Sequence, residues 1–284
     1  MSEHIHSFNN ENKAIIGENN QTVPLCYFNL IRLKQGERYR CTLDNYESVY
    51  VLASGVCHFE IEGEQFESVG GRSSIWEGPA DSVYVPQGKM VEILCASESA
   101  EILVGGGLCS SSDPVGKATR IKPEDVKMIT YGSDETKTHR QIQHIIGQNS
   151  AARMGRLLVS ELFTVGAGGW SGFPPHKHDE DRQPRESLYQ EVYHFRFNPE
   201  QGFGAQFVYE KDDDFGPVYH VKNGSTLAID KGYHPVVAAP GYQMYYFTII
   251  VGATDSSLVQ YFHPDHKDQL ETIPGIKDMI AAFK

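Results

Sequence analysis

Two histidines separated by one residue, His176 and His178, stand in the segment FPPHKHDED. On a strand, successive side chains alternate faces, so both imidazoles point to one side and can meet a single ion while Lys177 points to the other. Imidazole suits zinc, iron, manganese or nickel. The spacing alone has low specificity, because His4-Ile5-His6 repeats it in a polar N-terminal tail that reads as frayed chain. Two further residues single out the later pair. Glu191 opens the strand-like run EVYHFRF, and an acid inside a β pattern is unfavourable unless it finds a cation. His234 follows Gly232 in the turn GYHP, where a strand pair closes. Three imidazoles and one carboxylate leave coordination positions open, which marks a catalytic or substrate-binding centre rather than a closed structural one. Glu180 lies nearer to the histidine pair along the chain and competes with Glu191 for the carboxylate position.

The elements that must position these residues are strands. Short runs rich in Val, Ile, Tyr and Phe recur between Gly-rich turns, among them SVYVLASG, SVYVPQG, EVYHFRF and QMYYFTIIVG. HFEIEGE alternates apolar and polar positions and ends in a hairpin turn at Gly63. Helical signals are confined to PEDVKMITYG and PGIKDMIAAFK. The class is all-β, a sandwich or barrel pattern with few short helices. Gly, Ser and Pro concentrate in GGGLCSSSDPVGKATRIKPEDV, which divides the chain into units 1–120 and 121–284. SVYVPQGKMVEI and LAIDKGYHPVV resemble one another as a strand, a Gly turn and a second strand, which suggests duplication; only the second copy carries a histidine at the turn, His234.

Composition limits the partners. With 284 residues, 40% of them hydrophobic and 22% charged, the chain can bury two ordinary cores. A net charge of −12 argues against nucleic acid or an anionic membrane as partner. An anionic metabolite then needs a local cation, which a bound metal supplies. No apolar run approaches the roughly 20 residues of a bilayer span, and the polar N-terminus lacks a secretory pattern, so the expected location is cytoplasmic. The five cysteines all fall within the first 109 residues without a CxxC pair and read as reduced, mostly buried side chains. Oligomeric state is not readable from these features.

The linked strings WSGFPPHKHDED, PRES, EVYHFRFNP, QGFGAQFVY and KGYHPVVAAPGYQMYY, with GGRSSIWEGPADSVYVPQG in the first half, resemble the KduI/IolB family of the cupin superfamily over roughly residues 25 to 252. The resemblance implies two cupin (jelly-roll) barrels, the first without metal and the second with one divalent ion on His176, His178, Glu191 and His234, zinc or manganese being favoured over iron or nickel. It implies an aldose–ketose isomerase converting 5-deoxy-glucuronate to 5-dehydro-2-deoxy-gluconate in inositol catabolism, by proton transfer through an enediolate that the metal stabilises. The chain departs from the family pattern at Gly169–Phe173 and at Thr248–Ala253, which bears on the sugar acid rather than on the ligands. Glu186, in the loop between the ligands, and Tyr246, in a strand, are the candidate acid–base groups. Arg182, Arg185 and Lys177 are the candidates for holding the substrate carboxylate, although alternation sends Lys177 and Arg196 outward. His194 should face away from the metal, and His220, His263 and His266 read as surface residues. The run Lys211 to Asp214 lacks the pattern of a calcium loop and reads as a solvated turn. Alternatives are a metal-dependent cupin dioxygenase, an isomerase for another uronate, and a non-enzymatic sugar-binding cupin.

Overall fold

Alternating apolar positions pair into antiparallel ladders throughout, and the two halves of the chain repeat one strand order. The computed structural model describes residues 2–282 apart from 111, 112, 114, 115, 149–154, 211–214, 255 and 256, so the acidic run 211–214 lies outside the described residues. In the first half a five-stranded sheet runs Thr119–Ile121, Ser82–Val85, Tyr46–Ser54, Ser99–Leu108, Cys26–Lys34. The second half repeats it as Glu3–Ile5, Thr226–Ile229, Tyr189–Asn198, Gln243–Gly252, Leu157–Thr164, and extends it by Arg140–Ile146 and Lys127–Tyr131. A four-stranded sheet accompanies each: Arg38–Thr42, Met90–Cys95, Val56–Ile61, Glu64–Gly70 in the first half, and Gly169–Ser171, Val236–Ala238, Phe203–Phe207, Val218–Lys222 in the second. A two-stranded ladder, His176–Lys177 with Tyr261–Phe262, completes the second half.

The repeat is cross-stitched. Thr119–Ile121, at the boundary between the halves, edges the first half's sheet, and Glu3–Ile5 edges the second half's by pairing with Thr226–Ala228. This corrects the reading of His4 and His6 as frayed tail: they sit in or beside a strand that covers an otherwise open sheet edge. PEDVKMITYG is also corrected. Only Pro123–Asp125 forms a helical turn, and Lys127–Tyr131 is strand, because its alternating Met128, Thr130 and Ile129, Tyr131 suit a half-buried ladder. The terminal segment does form a helix, Ile276–Ala282. No helix among the described residues is long and apolar enough to cross a membrane.

Two large apolar regions hold the assembly. The first half's interior is closed by Tyr27, Ile31, Tyr50, Val83, Ile93 and Ile102. Phe28, Val49, Val51 and Leu103 meet Val159, Phe247, Ile249 and Val251 where the two large sheets pack back to back. Close approach there requires glycine: a Cβ on Gly105 would lie 2.9 Å from the Ile249 side chain, and one on Gly107 3.1 Å from Leu157. Each fully buried side chain of this kind contributes about 1.5–3 kcal/mol.

Two buried polar ties fix the register of the halves. Arg72 donates to both oxygens of Glu161, at 2.6 and 3.0 Å, with side-chain exposures of 5% and 0%. Its remaining donors reach the Leu52 and Gly78 carbonyls, and Tyr245 adds a bond to Glu161. Glu47 accepts from the Arg156 and Leu157 amides and from the Tyr84 hydroxyl. Removing one partner of a buried pair strands the other charge, at a cost of about 3–5 kcal/mol. Arg72→Met is therefore expected to lower unfolding stability in urea by that amount, and the double variant R72M/E161Q by less. Equal losses in the two would show that the ion pair itself does not set the effect.

Candidate metal centre

The second half's large sheet turns one face toward the first half and the other into a cavity. Glu191, Tyr193 and Phe195 share the cavity face, and their ladder partners Ile250, Thr248 and Tyr246 continue it onto the neighbouring strand. His178 enters from the end of the His176–Lys177 strand and His234 from the Gly232 turn, where φ is +94° and a Cβ would lie only 2.9 Å from the Tyr209 carbonyl oxygen. The nitrogens of His176, His178 and His234 lie within 4.8 Å of one another. Glu191 completes the cluster, with Oε2 3.1 Å from His178 Nε2 and 3.3 Å from His234 Nε2.

The outer nitrogens are tied to backbone carbonyls. His178 Nδ1 donates to Tyr189 O at 3.3 Å and His234 Nδ1 to Gly232 O at 2.8 Å, and His176 bonds to the Pro174 carbonyl. With the Nδ1 protons so committed, a neutral His178 or His234 turns its Nε2 lone pair toward the Glu191 carboxylate oxygen, and either a proton or a metal ion between them makes that contact favourable. His234 Nε2 is buried without a hydrogen-bond partner. Three nitrogens and one carboxylate oxygen fit a divalent first-row metal. Among them, burial alone would raise the Glu191 carboxyl, but the close approach of His178 and His234 outweighs it and holds it at about 2. Burial, then the neighbouring His234 and His178, push His176 well below the usual imidazole range. Burial opposes but Glu191 overcomes it to raise His178. The acid is thus ionised and His176 neutral, the forms that bind metal. Tyr193 lies in hydrogen-bonding reach of Glu191, and Gln260 Nε2 sits 2.9 Å from His176 Nε2.

The loop residues named as candidates lie elsewhere. Glu186 is fully buried and accepts from Lys177 Nζ at 3.0 Å, from the Asp179 and Glu180 amides, and from Arg182. The expectation that it serves as the base is corrected: its lone pairs are filled by the loop it ties down. Lys177 points away from the histidines, as alternation requires, but into a buried knot with Asp179, Glu180 and Glu186 rather than to solvent or substrate. Arg182 bonds Glu180 and Glu186 and lies 5.1 Å over the Tyr261 ring, and Arg185 is exposed. None of the three reaches the cavity, which corrects their assignment to the substrate carboxylate. Glu180 is half exposed and paired with Lys177 and Arg182. His194 faces the other half, its ring 5.0 Å from Phe28. His263, expected at the surface, is buried against Tyr233 at 4.6 Å.

Tyr246 does line the cavity, its hydroxyl bonded to Ser171 and to Arg140 Nη2. Arg140, Tyr193 and Gln260 were not singled out from the sequence. Tyr193 was legible, since it stands two residues from Glu191 on the same strand face. A larger groove of about 550 Å³ between the halves brings Arg32 and Arg196 to Glu101, without imidazoles. Glu186→Ala is expected to speed tryptic cleavage after Arg182 and Arg185 relative to the rest of the chain. An unchanged cleavage pattern would show that the carboxylate does not hold this loop.

Comparison with known proteins places this geometry. The KduI/IolB family matches residues 3–269. A 5-deoxy-glucuronate isomerase of Halalkalibacterium halodurans is 35% identical over 237 residues, 82% of this chain and 84% of that protein. One of Bacillus licheniformis is 33% identical over 260 residues, 90% and 92% of the two chains. Among solved structures, an IolB-like protein from Salmonella typhimurium LT2 superposes with a TM-score of 0.77 at 30% identity, covering 85% of this chain and 89% of that one. A variant of Bacillus subtilis oxalate decarboxylase, with a TM-score of 0.57 at 14% identity over 92% and 78% of the chains, shares the fold alone. The fold is mostly β and cupin-like, and by sequence and structure together the chain belongs to the KduI/IolB family.

Proposed function

We propose that this chain is a metal-dependent aldose–ketose isomerase acting on 5-deoxy-glucuronate to give 5-dehydro-2-deoxy-gluconate. The observation that carries the proposal is the convergence of His176, His178, His234 and Glu191 at a cavity that His176 and Glu191 line. The relatives that match most of the chain carry that activity in their names. The same proposal includes the division near residue 120 into two barrel units, the first without metal, and a zinc or manganese ion in the second; the repeated strand order supports the division.

The four side chains would hold the ion, which supplies Lewis acidity toward the C1 carbonyl and the adjacent hydroxyl. The rest of the chemistry belongs to the chain. The carbonyls of Tyr189 and Gly232 fix the tautomers of His178 and His234, so the ligand atoms need not reorganise. Phe173, Leu258, Ile276 and Met279 wall the cavity with carbon and exclude water, which would otherwise compete for the sugar oxygens. Burial holds the Tyr246 phenol above its usual range, so it stays protonated and serves as an O–H donor at the rim of the site. Arg140 donates to its oxygen at 2.8 Å, which strengthens it as a donor.

Elemental analysis of the purified protein is expected to return one divalent ion per chain, and an aldose-to-ketose assay to show turnover of 5-deoxy-glucuronate. Oxygen consumption without isomerisation would point to the dioxygenase instead. His178→Ala is expected to lose the ion while remaining folded, and Glu191→Gln to lower metal content where Glu180→Gln does not; the opposite pair of results retires Glu191 as a ligand. Tyr246→Phe should keep its metal and lose about 10²–10⁴-fold in kcat. A kcat within a few-fold of wild type would remove Tyr246 from the chemistry.

A further inference from the structure

Among the described residues, Arg140 is the largest fully buried side chain, and no carboxylate is paired with it. It is 1% exposed, and the groups that act on it electrostatically are phenols: Tyr131, Tyr246 and Tyr193. Nη2 donates to Tyr246 at 2.8 Å and Nη1 reaches Tyr131 only at 3.4 Å, while Nε is buried with no partner. Arg72, whose side chain is 5% exposed, shows what a structural role demands: both oxygens of a carboxylate and two carbonyls. A guanidinium left with an empty donor in the interior is costly unless something that comes and goes completes it.

Its placement says what that ligand is. Arg140 pairs with Thr164, and its strand neighbour Ile142 pairs with Leu162, which pairs with Tyr246, so Arg140 and Tyr246 share the cavity face that carries Glu191. A row of rings runs between the two charges: Tyr193 lies 6.2 Å from His234, Tyr246 lies 4.7 Å from Tyr193, and Arg140 Cζ lies 5.6 Å from the Tyr246 centroid. The cavity therefore has the histidines and Glu191 at one end and a guanidinium at the other. Among the described residues lining it, Arg140 is the one permanently cationic side chain. With the ligands' end of the cavity given to the sugar's carbonyl and hydroxyl oxygens, an anionic group at the far end would meet an unfilled cationic donor.

We propose that Arg140 binds the carboxylate of the sugar acid, fixing it at the end of the cavity opposite the metal centre and so selecting uronates over neutral aldoses. This rests on the isomerase reading and assigns the recognition that Lys177, Arg182 and Arg185 cannot provide. The Nε–H and an Nη–H supply the planar fork that matches a carboxylate. The carboxylate becomes the counter-charge the interior lacks, and a substrate without it leaves Arg140 as unsatisfied as before.

The test uses the metal-loaded protein, Arg140→Gln and Arg140→Lys, with metal content measured in each. Substrates are 5-deoxy-glucuronate and its C6 primary amide, an uncharged isostere. Wild type is expected to prefer the acid by roughly 10- to 150-fold in kcat/KM, the range of a hydrogen bond to a charged group. R140Q should abolish that preference, its loss toward the acid exceeding whatever loss both substrates share from the missing bond to Tyr246, and R140K should retain part of it. A variant that keeps its metal but loses acid and amide equally, or keeps the preference for the acid, overturns the assignment. If wild type turns over neither compound, the isomerase reading fails by itself. The role of Arg140 is then read from calorimetric titrations with D-glucuronate and D-glucuronamide. Tighter binding of the acid that disappears in R140Q upholds it; no preference in wild type, or one that survives the substitution, refutes it.

Discussion

A carboxylate buried in the middle of a β-sheet is the constraint around which the second half is organised. Glu191 is 3% exposed on a strand flanked on both sides by ladder partners, so its charge cannot be met by water. Taking a carboxylate out of water is expensive, and the interior must supply a positive counterpart. Two imidazoles at 3.1 and 3.3 Å, with their outer nitrogens on backbone carbonyls, turn their inner nitrogens to the acid, so that a shared proton or a metal ion there supplies the positive counterpart. The site is preorganised in the sense that an apolar wall, a fixed pair of tautomers and an ionised acid are all present in the folded chain.

Glu186 shows the same physics used for a different end. Like Glu191 it is buried, but its charge is met in full by Lys177, Arg182 and two amides. Saturated, it is inert and holds the loop that carries His178 toward the centre. Glu161 is saturated in the same way by Arg72 and Tyr245, and it fixes one half against the other. What separates the structural acids from the candidate ligand is how many of their lone pairs the protein itself fills. Burial is common to all three.

That distinction also explains what could be read from the chain. Period-two alternation put His176 and His178 on one side and Lys177 on the other, and it put Glu191 on a strand; these are local facts and depend only on the pleat. The β class and the few short helices were legible from the same alternation, except where Pro123 and two acids imitated a helix start ahead of a strand. Glu186 was misjudged because a loop sequence does not reveal which backbone amides will converge on it. Arg140 was invisible for a related reason. Its strand precedes the histidine pair by some thirty-five residues and joins the site through two intervening strands of a sheet. An arginine in RQIQHII reads as an outward, solvated position until the sheet order is known. The edge strand at Glu3–Ile5 needed a partner more than two hundred residues away.

The duplicated architecture accounts for how the chain tolerates such a centre. In the first half Ser48, paired with Val85, occupies the register place that Glu191, paired with Ile229, occupies in the second. Around Ser48 the interior is Tyr27, Tyr50, Val83 and Ile93, a dry core whose side chains stabilise by burial alone. Around Glu191 the matching interior gives up apolar contacts to histidines, phenols and a guanidinium, which stabilise only when every donor and acceptor is met. The halves share the apolar seam of Phe28, Val51, Phe247 and Ile249, and Glu3–Ile5 of the first edges the sheet of the second, so neither opens without exposing part of the other. A dry unit joined to a polar one in this way lets the second half hold an incompletely satisfied cavity face inside a fold whose cohesion comes largely from elsewhere. The asymmetry between two copies of one strand order is thus what leaves room for chemistry.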